Sequence, residues 1–273
     1  MITGASSGIG KVAAVELARL GARLFLVCRD RGRGEATVAE ICRATGNQEV
    51  ELLIADLGSQ REIRRLAADF LASNQPLHVL VNNAGIVNLS RTVTEDGIET
   101  VFAVNHLAYF MLTLLLLDRI KQSARARIIN VASDAHRFGT MNFDDLGGER
   151  RYRAFRIYGQ SKLANILFTY ELARRLEGSG VTVNCLHPGA VSTGLGKNNG
   201  TLARMVYAVI GPFLRTPERG AATSIYLASS PEVEEVSGKY YVDCKPGQST
   251  RESYDEAVAR RLWEVSARMT GIA

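Results

Sequence analysis

Apolar residues occur along this chain in short β-like runs that alternate with stretches of helical periodicity. Such alternation predicts an α/β fold: a doubly wound parallel sheet with helices on both faces, which binds its ligand where the strand order reverses. The longest apolar run, 110–117, is too short to span a bilayer and predicts a buried helix. The predicted strands are Leu24–Val27, Glu51–Ile54, Val79–Val81, Arg127–Val131, Val181–Leu186 and Tyr240–Val242.

Composition fits one large domain and sets only loose limits on function. The 273 residues are 46% hydrophobic, which is enough for a sizeable core. The net charge of +5 comes from basic residues that alternate with acids along predicted helices, which argues against nucleic-acid binding. A cytoplasmic location is expected, because the cysteines are too scattered for a disulfide framework or a zinc site. They are Cys28, Cys42, Cys185 and Cys244.

A glycine-rich segment near the N-terminus is suited to the diphosphate of a dinucleotide. Gly4, Gly8 and Gly10 allow a tight turn and close backbone approach, and an amphipathic helix follows, which Gly21 should end. Backbone N–H groups at a helix N-terminus favour a negatively charged ligand. Alone, the segment is weak evidence, since glycines at this density also mark a flexible turn.

A tyrosine and a lysine four residues apart, Tyr158 and Lys162, should share one face of a helix. A phenol has a pKa near 10, and a neighbouring ammonium group lowers it, so the tyrosine can exchange a proton with a substrate oxygen. Ser133 follows a predicted strand, where its hydroxyl can donate to the same oxygen. Each residue also has a purely structural interpretation. Together with the glycine segment they indicate a nicotinamide-dependent oxidoreductase.

In this order the motifs resemble the short-chain dehydrogenase/reductase family over essentially the whole chain, and within it the retinol dehydrogenase group. The resemblance implies a single Rossmann-type domain over residues 1–273 that interconverts alcohols and carbonyls. The family motifs are Thr3–Gly10, Asp56–Leu57, Asn82–Gly85, Asn105, Ser133, Tyr158–Lys162 and Pro188–Gly189. The segments that most closely resemble the retinol dehydrogenase group are Val27–Asp30, Tyr158–Phe168, His187–Gly189 and Ala259–Val265.

The resemblance also implies roles for individual residues. The implied catalytic tetrad is Asn105, Ser133, Tyr158 and Lys162, in which Lys162 also holds the nicotinamide ribose. The implied cofactor contacts are Gly4, Ser6, Ser7, Gly8, Ile9, Gly10, Asp56, Leu57, Asn83, Ala84, Gly85, Pro188, Gly189, Val191 and Thr193, besides Tyr158 and Lys162. No metal site is expected, because the four histidines lack ligand spacing; the two that adjoin motif residues, His106 and His187, are expected to be structural or to support the site. The four histidines are His78, His106, His136 and His187.

The residue after the second predicted strand discriminates between NAD(H) and NADP(H). An acidic side chain there binds the adenosine ribose, whereas an arginine accommodates a 2'-phosphate. Cys28 is not an acid, and Arg29 offers a planar set of donors, so the sequence favours NADP(H). Two alternatives stay open: Arg29 could pair with Asp30 or be solvated, and Asp30 could itself favour NAD(H).

The first strand is expected to be incomplete. Met1 stands two residues before Thr3, whereas the resemblance implies a full strand before the glycine turn. A central strand contributes ladder hydrogen bonds and apolar contacts on both faces of the sheet. A start assigned too far downstream or a trimmed chain would explain the missing residues; alternatively, Met1 and Ile2 suffice as a shortened strand.

Residues 190–217 are expected to form a lid over the substrate. Their apolar character implies a lipophilic alcohol, aldehyde or ketone, with a retinol-like molecule as the best single expectation. The lid could also touch a membrane surface, or simply pack against C-terminal helices. Two alternatives stay open: a carbonyl reductase of polyketides, steroids or other secondary metabolites, and a non-catalytic cofactor-binding regulator. The resemblance further implies a homo-oligomer.

Overall fold

The fold is built on one eight-stranded sheet; the computed structural model describes residues 1–123, 125–191 and 214–272. Its strands are β1 (Ile2–Thr3), β2 (Leu24–Cys28), β3 (Val50–Ile54), β4 (Val79–Asn82), β5 (Ala126–Val131), β6 (Val181–His187), β7 (Tyr240–Val242) and β8 (Lys245–Gly247). The strand order is β3-β2-β1-β4-β5-β6-β7-β8, parallel except for the antiparallel β7–β8 pair. The order reverses between β1 and β4, which confirms the predicted doubly wound sheet.

Helices fill the segments between the strands. They are α1 (Gly8–Arg19), α2 (Arg31–Thr45), α3 (Gln60–Ala72), α4 (Thr100–Phe102), α5 (Ala108–Leu115), α6 (Leu117–Gln122), α7 (Ala154–Arg175), α8 (Pro217–Ser229) and α9 (Glu256–Thr270). A π-helical turn, Ala103–Leu107, joins α4 to α5. The apolar run 110–117 lies mainly in α5, whose residues 108–113 are all buried, so the predicted buried helix is confirmed.

Two apolar layers cover the sheet, one on each face. One contains β1, β2 and the buried faces of α1, α2 and α8, with Leu26, Ile41 and Leu227 among its members. The other packs α3, α5, α7 and α9 against the opposite face, where Phe110 and Phe168 meet Trp263. Helices on both faces leave the carboxyl ends of the strands as the accessible edge for a ligand.

The first strand is short, as expected, and it pairs with both neighbours. The Met1 amine donates to the Val79 carbonyl oxygen at 2.7 Å, and Val81 N–H donates to the Met1 carbonyl oxygen at 2.9 Å. On the other side, Gly4 N–H donates to Val27 at 2.9 Å. Burial lowers the pKa of the Met1 amine to about 5. Ile2 and Thr3 therefore form a central strand, and Met1 adds backbone hydrogen bonds to β4.

A chain of buried amides and hydroxyls crosses the centre of the fold. Asn82 and Asn130 are register partners on β4 and β5, and the Asn82 amide donates to Asn130 Oδ1 at 2.9 Å. Asn82 also donates to Thr113 Oγ1 on α5 at 3.0 Å. Asn130 in turn donates to Thr169 Oγ1 on α7 at 2.9 Å. This polar ladder ties two strands to the helices that cover them.

Across residues 1–123, 125–191 and 214–272, no helix combines the length and apolar character needed to cross a membrane. Over the same ranges, no three histidine, cysteine or acidic side chains lie close enough to hold a metal ion.

Candidate active site

The glycine segment forms a turn that leads from β1 into the N-terminus of α1. Gly4 and Gly8 have φ values of +66° and +54°, a region that favours glycine. Ser7 is the N-cap residue, and within the described structure its side chain makes no capping hydrogen bond and the first turn of α1 holds no acidic residue. The N-terminal N–H groups and the positive end of the helix dipole therefore suit an anion.

Close packing fixes the shape of this turn. A Cβ on Gly10 would lie 2.4 Å from Asn83 Nδ2 and 2.6 Å from the Gly4 carbonyl oxygen, and one on Gly4 would lie 2.8 Å from Ala84 Cα. The Asn83 amide donates to the Thr3 carbonyl oxygen at 2.8 Å. Residues 83 and 84, placed by β4, thus hold the glycine turn in position.

Arg29 stands at the carboxyl end of β2, beyond the buried Cys28. Burial raises the pKa of the Cys28 thiol, and Ser6 in the glycine turn contacts it. The Asp30 carboxylate caps α2 by accepting a hydrogen bond from Arg33 N–H at 2.8 Å. Arg29 is exposed and makes no ion pair with any described residue, so the suggested pairing with Asp30 is absent there.

Asp56 and Leu57 follow β3 along the same edge. Asp56 Oδ1 accepts a hydrogen bond from Gly58 N–H at 2.8 Å, which closes a tight turn. Leu57 is buried in the apolar layer of α3 and α5. The turn at residues 56–58, which the Asp56 carboxylate stabilises, therefore lies next to the carboxyl ends of β2 and β3.

Tyr158 and Lys162 lie one helical turn apart on α7. Lys162 is 3% exposed, and its Nζ lies 5.8 Å from the centre of the Tyr158 ring and 5.7 Å from that of Tyr109. Nζ donates to the carbonyl oxygen of Val131, the last residue of β5, at 2.9 Å. Burial lowers the pKa of Lys162 to about 7. The predicted tyrosine–lysine pair is thus formed.

Asn105 lies in the π-helical turn and is fully buried. Its Oδ1 accepts from Ile86 N–H at 2.8 Å, and its Nδ2 donates to the Ile86 carbonyl oxygen and to Ser161 Oγ, both at 3.0 Å. A Cβ on Gly85 would lie 3.4 Å from both Asn105 Oδ1 and Lys162 Nζ. These contacts place Asn105 beside Lys162.

Ser133 follows β5 and begins a 3₁₀ turn, Asp134–Phe138, that packs on α7. Its hydroxyl accepts from Ala135 N–H at 3.2 Å. A Cβ on Gly139 would lie 2.3 Å from the carbonyl carbon of Gly159, the neighbour of Tyr158. Two glycines in contact therefore bring the segment of Ser133 against the helix of Tyr158.

The segment after β6 returns to the glycine turn. His187 Nδ1 accepts from Asp134 N–H at 3.1 Å and from Gly189 N–H at 3.3 Å, so this histidine supports the loops. Gly189, next to Pro188, has a φ of +86°, and Val191 pairs with Arg215 in an isolated bridge. Thr193 lies outside the described residues, as does most of the predicted lid.

The sequence did not single out Tyr109. It is 1% exposed on α5, and its hydroxyl donates to the Ala84 carbonyl oxygen at 2.8 Å. Its ring faces Lys162, and burial raises its pKa, with Tyr158 adding to the effect. Tyr109 follows Asn105 by four residues, and that spacing could have revealed it in an otherwise apolar helix.

Most predicted site residues meet at the carboxyl edge of the parallel strands. The glycine turn, Arg29, Asp56 and residues 83–85 follow β1 to β4, and Ser133 and residues 188–191 follow β5 and β6. A separate cavity of about 520 Å³ opens against α9 and is lined partly by Phe143 and Arg261. None of the predicted site residues lines it.

Comparison with known families and proteins agrees with this geometry. The family described as short chain dehydrogenase matches residues 1–202. The chain belongs to the short-chain dehydrogenase family. It is therefore an oxidoreductase, and the predicted family membership is confirmed.

Relatives within this family bear the names of retinol dehydrogenases. Retinol dehydrogenase 14 of Mus musculus is 48% identical over 285 residues, with 100% of this chain and 85% of the relative covered. Retinol dehydrogenase 13 of Homo sapiens is 46% identical over 278 residues, covering 100% of this chain and 84% of the relative. The resemblance to the retinol dehydrogenase group is thereby confirmed.

Solved structures of this short-chain dehydrogenase's relatives share the fold. An uncharacterised protein from Mycobacterium paratuberculosis has a TM-score of 0.78 and 34% identity, with 99% of this chain and 92% of that one covered. RhlG of Pseudomonas aeruginosa, in an active-site complex with NADP, has a TM-score of 0.69 and 29% identity, with 88% and 91% covered.

Proposed function

We propose that this chain is an NADP(H)-dependent oxidoreductase that interconverts a lipophilic, retinol-like alcohol and its aldehyde or ketone, with Tyr158 as general acid and base. The observation that carries the proposal is the buried Lys162 amine, 5.8 Å from the Tyr158 ring. The names of the relatives support the retinol-like substrate.

Tyr158 would exchange the proton with the substrate oxygen. A nearby ammonium group favours phenolate over phenol, so Lys162 makes Tyr158 a better base for alcohol oxidation and a ready donor for carbonyl reduction. The Ser133 hydroxyl donates to the same oxygen and opposes the charge that develops there. Asn105 holds the segment of Ile86 and Ser161 that surrounds the lysine. These four residues form the proposed catalytic group.

The chain's own groups fit a dinucleotide at the glycine turn. The N-terminus of α1 lacks a side-chain cap and acidic residues in its first turn within the described ranges, and Gly4 and Gly10 leave no space for a side chain. A bound nicotinamide would supply or accept the hydride. Val191 lies near Ile9, since a Cβ on Gly220 would contact both side chains.

The proposal includes further cofactor contacts. They are Ser6, Ser7, Gly8, Ile9, Asp56, Leu57, Asn83, Ala84, Gly85, Tyr158, Lys162, Pro188, Gly189 and Val191, together with Thr193 outside the described residues. The lid at 190–217, contact of that lid with a membrane, and homo-oligomer formation stay predictions.

The preference for NADP(H) rests on Arg29. The Arg29 side chain is exposed at the end of β2, where it could bind a 2'-phosphate. The Asp30 carboxylate already caps α2, so it is less available to bind the free ribose of NAD(H). Arg29→Ala should weaken NADPH binding by about tenfold or more and leave NADH binding nearly unchanged. Arg43→Ala, which removes the same charge from the far end of α2, is the control. Equal loss for both nucleotides would contradict the assignment.

Turnover by the purified protein tests the catalytic proposal. We expect NADPH-dependent reduction of retinal, with a panel of long-chain aldehydes and ketones, polyketides and steroids beside it to rank substrates. Tyr158→Phe removes one hydroxyl and should abolish turnover while leaving NADPH affinity within about threefold. Full turnover by this variant would refute the role of Tyr158. Binding of NADPH without turnover of any compound would favour a regulatory function instead.

A further inference from the structure

Four exposed arginines lie within residues 150–156, just before Tyr158. None of their side chains makes an ion pair with a residue that the structure describes. Arg153 is the N-cap residue of α7, and Arg156 lies in the first turn, which holds no acidic residue. A cation near the positive end of a helix dipole lowers helix stability, so stabilisation of α7 does not explain these charges. The four are Arg150, Arg151, Arg153 and Arg156.

The acidic residues that precede the arginines in the chain have other partners. The Glu149 carboxylate pairs with Arg91 at 3.1 Å. The Asp145 carboxylate accepts hydrogen bonds from the backbone N–H groups of Glu149 and Arg150, at 2.7 and 3.3 Å. The Asp144 carboxylate lies 3.9 Å from the Arg261 guanidinium. None of these carboxylates pairs with the four arginine side chains, so their positive charge is open to a ligand.

Two phenyl rings are exposed on the elements that meet here. Phe155, on α7, and Phe138, at the end of the 3₁₀ turn, are each 74% exposed. A Cβ on Gly139 would lie 2.3 Å from the carbonyl carbon of Gly159, so the turn of Phe138 packs on α7 one helical turn after Phe155. Water solvates a phenyl ring poorly, so a partner that covers either ring gains free energy.

These six residues form a basic–aromatic patch beside the candidate active site. Phe155 precedes Tyr158 by three residues, a spacing that places both on one face of α7. α7 follows β5 and precedes the parallel β6, so its N-terminus lies at the carboxyl edge of the sheet, where the predicted site residues meet. The patch comprises Phe138, Arg150, Arg151, Arg153, Phe155 and Arg156.

The combination of unpaired arginines and exposed phenyl rings matches the surface of an anionic lipid bilayer. Anionic headgroups attract basic side chains near the membrane surface, while apolar rings enter the boundary between headgroups and acyl chains. The long apolar stem of an arginine also allows its guanidinium to stay at the headgroups while the stem lies against lipid. A bilayer therefore provides partners for both parts of the patch at once.

We propose that the basic–aromatic patch docks this protein on anionic lipid bilayers and so brings the Tyr158 end of α7 to the lipid surface. Delivery of a lipophilic substrate from the bilayer to Tyr158 rests on the proposed function. The docking itself rests on the patch alone.

Vesicle flotation with the full chain, without substrate or cofactor, tests the docking. We expect binding to phosphatidylcholine vesicles that contain phosphatidylserine, weaker binding without phosphatidylserine, and release at high salt. Replacement of Arg151, Arg153 and Arg156 together by Gln should lower the partition coefficient by more than about twentyfold, since each contributes about fivefold. Phe155→Ser should lower it about tenfold.

The control variants carry the same changes at the opposite edge of the sheet. Arg43, Lys121 and Lys239 are exposed, make no ion pair with a described residue and lie near the amino ends of β3, β5 and β7. Their joint replacement by Gln removes the same charge and should leave the partition coefficient within about twofold of the parent. Leu20→Ser is the control for Phe155→Ser, because Leu20 is 64% exposed at the end of α1.

Three outcomes would overturn the proposal. They are no vesicle binding by the parent, full binding by both patch variants, and equal loss in the patch and control variants. Binding of the parent to a single-stranded oligonucleotide but to no vesicle would assign the arginines to another partner and would also contradict docking. Thermal unfolding guards against misfolding: the arginine variant should equal or slightly exceed the parent, because it removes cations from a helix N-terminus.

Turnover tests the consequence for catalysis. With retinal carried in phosphatidylserine-containing vesicles, the arginine variant should show a KM about tenfold higher at constant kcat, whereas its KM for a short, water-soluble aldehyde should equal that of the parent. Equal KM values for vesicle-borne retinal in variant and parent would contradict delivery from the bilayer. Absence of turnover in the parent would refute the proposed function instead, and vesicle flotation would still decide the docking.

Discussion

Replacement of Gly10 by alanine should damage stability and cofactor binding together. The new Cβ would lie 2.4 Å from Asn83 Nδ2, whereas ordinary contacts begin at 3.4 Å, so the amide or the turn must move by about 1 Å. That movement breaks or strains the hydrogen bonds from Asn83 to the carbonyl oxygens of Thr3 and Gly4, at 2.8 and 3.3 Å.

The magnitude of this effect follows from three contributions. Two weakened hydrogen bonds lower the free energy of unfolding by about 2 kcal/mol, and overpacking lowers it by about 1–3 kcal/mol. The higher helix propensity of alanine raises it by about 1 kcal/mol. We therefore expect Gly10→Ala to lower the free energy of unfolding by about 2–4 kcal/mol. Because the same turn offers its N–H groups to the diphosphate, NADPH affinity should fall by more than about tenfold.

Urea unfolding and calorimetric titration with NADPH would measure the two effects. Gly32→Ala is the matched control, because Gly32 also lies in the first turn of a helix and the nearest atom to its new Cβ, Asp30 Oδ1, is 3.7 Å away. This variant should equal or slightly exceed the parent in stability. If Gly10→Ala stayed within about 0.5 kcal/mol of Gly32→Ala and bound NADPH as tightly, the close-packing explanation would be wrong.

Three further predictions address other contacts. Gly139→Ala should lower the free energy of unfolding by about 1–3 kcal/mol, because the new Cβ would lie 2.3 Å from the carbonyl carbon of Gly159. Thermal unfolding would measure this loss, and an unchanged unfolding midpoint would contradict the prediction. His106, with a pKa lowered to about 3 by burial, binds its proton mainly in the unfolded chain, so its contribution to stability is complete above about pH 6.5 and is lost towards pH 3. Between pH 6.5 and 5 the loss should be about 2 kcal/mol in urea unfolding, and His106→Gln should reduce this slope. Tyr109→Phe removes the hydrogen bond to the Ala84 carbonyl oxygen and should weaken NADPH binding about fivefold. Equal NADPH affinity of the variant and the parent would contradict a role of this hydrogen bond in cofactor binding.

The sheet could be predicted because strands buried on both faces appear as continuous apolar runs. Each predicted strand is confirmed to within one residue; Leu24–Val27, for example, extends to Cys28. β8 could not be found this way, since Lys245–Gly247 contains a proline and has no apolar pattern. Its pairing depends on the turn at Asp243 and Cys244, both with positive φ; aspartate is common in that backbone state, but cysteine is not.

The site could be predicted less completely than the sheet. Residues with a motif, such as the glycine turn, Tyr158 and Lys162, were found because their chemistry depends on close spacing along the chain. The π-helical turn that carries Asn105 adds one residue per turn and leaves no trace in the pattern. The role of Asp30 as the N-cap of α2 could have been predicted from the sequence, because an acidic residue directly before a helix is a typical N-cap.

The Asn82–Asn130 pair has a consequence for how the chain finds its sheet. A slip of β4 against β5 by two residues keeps every apolar side chain on its proper face, so hydrophobic pattern alone cannot reject it. Such a slip would, however, break the hydrogen bond between the two amides, and loss of the donor to the buried Asn130 Oδ1 costs about 1–3 kcal/mol. The amide pair thus favours the native alignment of β4 with β5 over this competing alignment.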